Sequence, residues 1–194
     1  MENINVEMED PEIATLHPFY YSIADLNYNK YKHFKEEYRK LTSGSKGWDM
    51  LSHSKEDNTK YMEYWGNYKY HAFIAVIFQA LAVEAYINYY GFKKLGNTKF
   101  KTHYEKMDTI DKYIIIYEIV NKKEFPKDEA IYEKLKKLIS LRNYLVHSKA
   151  TKVNMKDDNL QKFLDDLKKP FGGLFEDIDK VMTTYNEIVK IMSI

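Results

Sequence analysis

Apolar side chains recur at every third or fourth position in each apolar segment of this 194-residue chain. That spacing brings side chains to one face of an α-helix, whereas a half-buried strand needs a period of two. The clearest stripe is formed by Leu174, Ile178, Val181, Tyr185, Ile188 and Met192. The pattern predicts an all-α fold, an up-and-down helical bundle of four to five main helices with a longer insertion at about residues 42–66.

The most apolar stretch of the chain runs from Ala72 to Tyr90. Gln79, Glu84 and Asn88 interrupt it, and such polar side chains are costly in the hydrocarbon core of a bilayer. We therefore interpret the stretch as the buried central helix and expect no membrane partner. Gly91 follows directly and predicts the end of this helix, since glycine is typical of the position after a helix.

Turn and capping residues bound the other predicted helices. These lie at 18–41, 97–106, 109–121 and 129–147, with a short helix near 160–167 and a last one after Gly173. The central helix is predicted to begin at Tyr61 or Asn67. We expect one domain over residues 1–194, with a loose tail at 1–14, an extension at 15–65 and the core bundle at 66–193.

The net charge and the absence of cysteine exclude some kinds of nucleic-acid contact and of metal site. The net charge is +1, so any contact with nucleic acid must come from a local patch. The chain has no cysteine, which excludes disulfides and thiolate metal sites and fits a reducing compartment. The first twelve residues are acidic and polar and do not resemble a secretion signal. We therefore expect a cytoplasmic protein.

Six histidines are scattered through the sequence without the spacing of a metal site. No HExxH segment occurs, and no two histidines are four positions apart on a predicted helix. There is also no glycine-rich phosphate loop. We therefore expect neither a metal nor another cofactor.

The predicted helix at 129–147 carries an arginine on its apolar stripe. The stripe consists of Ile131, Leu135, Leu138, Arg142 and Leu145. Lysine supplies 28 of the 30 basic side chains, and Arg39 and Arg142 are the two arginines. A guanidinium at the margin of a core needs a partner, and its planar fork suits carboxylate or phosphate. Arg142 is therefore either a structural ion-pair anchor or a phosphate-binding residue.

His147 follows five positions later, where the helix is predicted to end. Five positions separate two side chains by about 140° around an ideal helix, so Arg142 and His147 do not share a face. Asn143 and His147 do share one. On spacing alone, a structural role fits both Arg142 and His147 better than a catalytic one.

The segment from Arg142 to His147, with the sequence RNYLVH, resembles the signature of the HEPN superfamily. That signature is an arginine, four to six intervening residues and a histidine, commonly with a polar residue straight after the arginine. Asn143 fills the polar position. The preceding segment 138–141 and the apolar helix 80–88 are also similar to those of HEPN-like proteins. The resemblance covers about residues 66–193, and residues 1–65 look like a family-specific extension.

The resemblance implies a helical bundle and a metal-independent endoribonuclease with a composite active site at a homodimer interface. Two copies of the motif would meet across the two-fold axis, which would bring Arg142 and His147 together from different protomers. His147 would act as the base or the acid, since imidazole titrates near neutral pH. Arg142 would stabilise charge on the phosphoryl oxygens, and Asn143 would orient His147 or the phosphate.

Two other functions remain open at this point. Many HEPN-like proteins are catalytically silent modules that bind RNA or a partner protein, and a toxin of this kind would have a cognate antitoxin. The motif can also be accidental in a helical interaction domain. The ribonuclease hypothesis places the protein among toxins or anti-phage effectors. Lys134, Lys137 and Lys149 would then form a positive rim near the motif.

Glu84 is the acidic residue within the apolar run from Ala72 to Tyr90. It shares a helix face with Ala80 and Asn88, so we expect it to point inward and to need a cation or several donors. We predict that Glu84 contacts Arg142 and supports its position. The alternative partner is a lysine or a tyrosine hydroxyl from another helix.

Overall fold

A computed structural model describes residues 15–42, 53–127, 130–147 and 177–192 of the chain. Within these ranges the regular structure is helical, and no strand occurs. The helices are α1 (His17–Thr42), α2 (Lys55–Leu95), α3 (Asn97–His103), α4 (Thr109–Asn121), α5 (Ala130–Val146) and α6 (Thr184–Met192). Residues 177–181 are also helical. The prediction of an all-α bundle is confirmed.

Helix α2 is the central element and contacts each of the other five helices. Its small buried side chains allow close packing, and those of Ala72, Ala75 and Ala82 are fully buried. Tyr31 of α1 and Ile188 of α6 are also fully buried, in the same core. Helix α2 is long and apolar enough to cross a bilayer by length and composition alone, although half of its most apolar 18-residue window is buried inside the bundle.

Helix α2 begins earlier than the sequence pattern predicts. Its first residue is Lys55 rather than Tyr61 or Asn67, so residues 55–66 of the predicted insertion form the first turns of the central helix. Ser54 caps it, because its Oγ accepts a hydrogen bond from the Asp57 backbone N–H at 3.0 Å and donates one to Asp57 Oδ2 at 2.7 Å. Residues 43–52 lie outside the described ranges.

The prediction that Gly91 ends the central helix is wrong. Gly91 is buried inside α2, and a Cβ atom there would lie 2.6 Å from Ile116 Cδ1 and 2.7 Å from Phe100 Cε2. The glycine thus serves close packing of α2 against α3 and α4. The helix ends instead at Leu95, and Gly96 follows as its cap, with a φ of 81° and its N–H donated to the Phe92 carbonyl.

The other predicted boundaries agree within a few residues. Asp108 caps α4, its side chain accepting from the Ile110 N–H at 2.8 Å. Helix α3 ends at His103 rather than at residue 106. A turn at residues 182–183 interrupts the last predicted helix, and Gln79 Nε2 donates to the Met182 carbonyl there at 2.9 Å. The predicted tail at 1–14 and short helix near 160–167 lie outside the described residues.

Two part-buried histidines link α1 to its neighbours. His17 Nδ1 hydrogen-bonds the Tyr185 hydroxyl at 2.6 Å, and His71 Nδ1 hydrogen-bonds Asn27 Oδ1 at 2.8 Å. Burial lowers the pKa of His17. Burial, and to a lesser extent the charge of Lys30, lowers the pKa of His71. Both imidazoles are therefore harder to protonate in the folded chain than in the unfolded one.

We expect the free energy of unfolding to fall as the pH drops below about 6.5, the ordinary pKa of histidine. In that range the unfolded chain takes up protons that the folded chain, with its lowered pKa values, still excludes, so protons favour unfolding. Urea unfolding at neutral and mildly acidic pH measures the loss. His17→Gln and His71→Gln should each reduce this loss of stability at acidic pH, whereas the same change at exposed His103 should not. An equal loss in all four proteins would contradict the prediction.

Candidate active site at the end of helix α5

Helix α5 presents its apolar stripe to the core and carries the predicted motif at its carboxyl end. Ile131, Leu135 and Leu138 are buried against the bundle. Arg142 continues this stripe at the point where the core meets solvent, and its side chain is 28% exposed. The guanidinium is therefore half-shielded from water, where a charged ligand is bound more strongly than on an open surface.

The predicted contact between Glu84 and Arg142 is present in the structure. Arg142 Nη2 donates to Glu84 Oε2 at 3.4 Å, across the contact between α2 and α5. The Glu84 side chain is 34% exposed. Because both partners touch solvent, the pair is weaker than a fully buried one. Its main effect is to restrict where the guanidinium can lie.

Asn143 also holds Arg142. Arg142 Nη1 donates to Asn143 Oδ1 at 2.7 Å. We predicted that Asn143 orients His147 or the phosphate, but in this structure its side-chain oxygen accepts from the neighbouring guanidinium. Among the described residues these contacts use two of the five N–H donors that an arginine offers, which leaves the others for a ligand.

His147 lies just beyond the last helical residue, Val146, and its side chain is exposed. Its backbone N–H donates to the Asn143 carbonyl at 2.9 Å, which keeps it in helical register. Within the described ranges the structure shows no hydrogen bond between the imidazole and Arg142. The chain therefore presents the two motif side chains without a direct bond between them, as the helical spacing predicts.

The predicted positive rim is wrong for two of its three lysines. Lys134 Nζ lies 2.6 Å from Glu187 Oε1, and Lys137 Nζ lies 2.7 Å from Asp177 Oδ2. Both ammonium groups are thus balanced by carboxylates of the last helical segments. Lys149 lies outside the described residues.

Lys112 of α4 is a charged residue near this site that the sequence analysis did not identify. It is 2% exposed, and its Nζ donates to Asn88 Oδ1 at 2.7 Å and to the Glu105 carbonyl at 2.9 Å. A signal was present, because Lys112 lies four positions before the buried Ile116 and three after the buried Thr109. A lysine on the buried face of a helix needs a specific partner.

In the part of the chain that the structure describes, no group of three or more histidine, aspartate and glutamate side chains is arranged to hold a metal ion. The site thus consists of Arg142, held by Glu84 and Asn143, with His147 at the exposed end of the same helix. Such a set offers hydrogen-bond donors for an anion and an imidazole for proton transfer.

Comparison with models of known protein families gives no match for this chain. Comparisons with curated proteins and with solved structures give no match either.

Proposed function

We propose that this protein is a HEPN-like, metal-independent endoribonuclease that acts as a homodimer. The observation that carries the proposal is the combination of a restrained, half-shielded Arg142 with an exposed His147 at the same helix end. Glu84 and Asn143 fix the guanidinium, and within the described ranges its other N–H donors are left for a phosphate. In this proposal the biological role is that of a cytoplasmic toxin or anti-phage effector.

The proposed reaction is an internal transesterification of the RNA backbone. The ribose 2′-oxygen attacks the adjacent phosphorus, and the bond from phosphorus to the 5′-oxygen breaks. An imidazole accepts the proton from the 2′-hydroxyl, and an imidazole returns a proton to the leaving 5′-oxygen. His147 supplies this chemistry. The Arg142 guanidinium donates to the phosphoryl oxygens, where charge accumulates in the transition state.

A homodimer accounts for the separation of Arg142 and His147 within one protomer. A two-fold axis beside the end of α5 would bring His147 of one copy toward Arg142 of the other. The neighbouring Val146 is 52% exposed, so its side chain is available for a contact with a second copy.

A catalytically silent module that binds RNA or a partner protein, such as a cognate antitoxin, is the second candidate. The contact between Arg142 and Glu84 favours it, because a carboxylate partner already explains why an arginine occupies the margin of the core. In that case Arg142 anchors α5 to α2, and His147 takes no part in proton transfer.

A cleavage assay separates the two functions. We expect the wild-type protein to cleave RNA in the presence of EDTA and to leave 2′,3′-cyclic phosphate ends. Structured and unstructured RNAs should both be tested. RNA binding without cleavage would favour the silent module. Sedimentation that shows only monomer at tens of micromolar, roughly the range of weak assembly, would contradict a shared active site.

A further inference from the structure

We propose that Lys112 is a positioning residue of this site, whose buried charge holds Glu84 in place to receive Arg142. The inference rests on the proposed function as far as catalysis is concerned. The arrangement of the three side chains is a property of the fold and can be tested without RNA.

One face of α2 carries two polar side chains that receive cations from different helices. Glu84 and Asn88 are four positions apart, so they lie on the same face about 6 Å apart along the helix axis. Arg142 of α5 donates to Glu84 at 3.4 Å, and Lys112 of α4 donates to Asn88 at 2.7 Å. Two cations from different helices thus bind neighbouring positions on one face of α2.

The burial of Lys112 is costly, and its surroundings show what offsets the cost. Burial lowers the pKa of the ammonium group, and the negative charges of Glu84, Glu105 and Asp108 oppose this effect, with Glu84 the largest of the three. Glu84 lies one helical turn from Asn88, to which Lys112 donates, so its carboxylate is within electrostatic reach of the ammonium group and also pairs with Arg142. Attraction toward Lys112 keeps the carboxylate at the contact between the helices, although a third of its side chain is open to water.

If Lys112 had a purely structural role, it would act only through its two hydrogen bonds. These tie the turn at Glu105 and the α4 helix to Asn88 of α2. A neutral amide can keep part of that bonding, but it cannot attract Glu84 as a charge does. Lys112→Gln therefore separates the positioning role from the structural one, and Lys112→Met removes both.

The test uses the arginine side-chain signals in a nitrogen-15 NMR spectrum of the full chain. The chain has two arginines, so each Nε signal can be assigned by comparison with an Arg39→Lys variant. Arg39 is exposed and pairs with Glu36, far from Lys112 in the sequence, and serves as an internal control. We expect Lys112→Gln to shift or broaden the Arg142 signal and to leave the Arg39 signal unchanged.

Two further variants complete the experiment. Glu84→Gln should move the Arg142 signal by itself, and Lys112→Gln should add little in its presence, because both changes act through Glu84. Lys101→Met removes an exposed lysine and should have no effect. An unchanged Arg142 signal in folded Lys112→Gln overturns the proposal, and Lys112→Met repeats the test if the first variant does not fold.

RNA cleavage gives a separate readout. If the protein is a ribonuclease, Lys112→Gln should lower kcat by up to about 100-fold through misplacement of Arg142, with little change in KM. A protein that shows the NMR shift but no cleavage in any form would refute the proposed function and leave the role of Lys112 intact. Wild-type-like kcat in a variant whose Arg142 signal has moved would refute the catalytic part of this inference.

Discussion

The His147→Ala variant is expected to lose RNA cleavage by about 10²–10⁴-fold, the contribution typical of a general acid or base. Its stability should change little, because the side chain is exposed and lies beyond the last residue of α5. Arg142→Ala is expected to lose about 10²–10³-fold through the missing phosphate contact. Arg142→Lys should recover little of this, since an ammonium group lacks the planar fork. Initial rates under single-turnover conditions measure each effect.

Two matched controls come from the same chain. His103→Ala removes another exposed histidine, and Arg39→Ala removes the other arginine, which is also paired with a glutamate. Both proteins should cleave RNA like the wild type. Cleavage that survives in His147→Ala at the wild-type rate would exclude this residue from the mechanism.

Mixing the two inactive variants tests the composite site directly. In a heterodimer of Arg142→Ala and His147→Ala protomers, one of the two sites combines an intact arginine from one chain with an intact histidine from the other. Partial recovery of cleavage on mixing is the expected result. Recovery should follow heterodimer formation in time, because subunits must exchange first. No recovery after verified exchange would place both residues of a site on the same protomer.

Alanine at Gly91 and at Gly66 should change stability in opposite directions, although both glycines lie in α2. Gly91→Ala is expected to lower the free energy of unfolding by about 1–3 kcal/mol, since the new methyl group overlaps Ile116 and Phe100 in a filled core. Gly66→Ala should raise it by about 0.5–1 kcal/mol, because in the described part of the chain no atom beyond the local helix backbone lies within 4 Å of the new Cβ, and alanine favours helix.

Urea unfolding followed by circular dichroism measures both changes on the same protein. The pair is informative because helix propensity acts equally at the two positions, so the difference between the variants isolates the packing at Gly91. A Gly91→Ala protein as stable as Gly66→Ala would show that α3 and α4 can move away from α2 at little cost.

The sequence predicts most helices because amphipathic periodicity is a local property. Helix α4 is an example, with Asp108 as a recognisable cap and its boundaries correctly placed. The first turns of α2 are missed because residues 55–66 are charged and aromatic without a single apolar stripe. They are stabilised from outside, since Tyr61 and Tyr68 both pack on Tyr38 of α1. That contact joins residues far apart in the chain and has no local signature.

The candidate site also has parts that the sequence predicts and parts that it does not. The contact between Glu84 and Arg142 is predictable, because each is a charge on an otherwise apolar stripe and the chain uses arginine so rarely. The partner of Asn143 is not predictable, since the rotamer of its side chain decides which neighbour on the same turn it contacts. The close packing at Gly91 is also not predictable from the sequence, because a glycine that ends a helix and one that lets another helix approach look alike there.

The continuity of α2 has a consequence for how this chain can vary. No loop separates the half of the helix that binds α1 from the turn that carries Glu84. A single inserted or deleted residue between them would turn Glu84 by about 100° relative to α1, away from Arg142. Substitutions can accumulate along α2, but insertions or deletions between the two contacts must add or remove nearly whole helical turns. We therefore expect related chains to preserve the number of residues between these two contacts more strictly than the residues themselves.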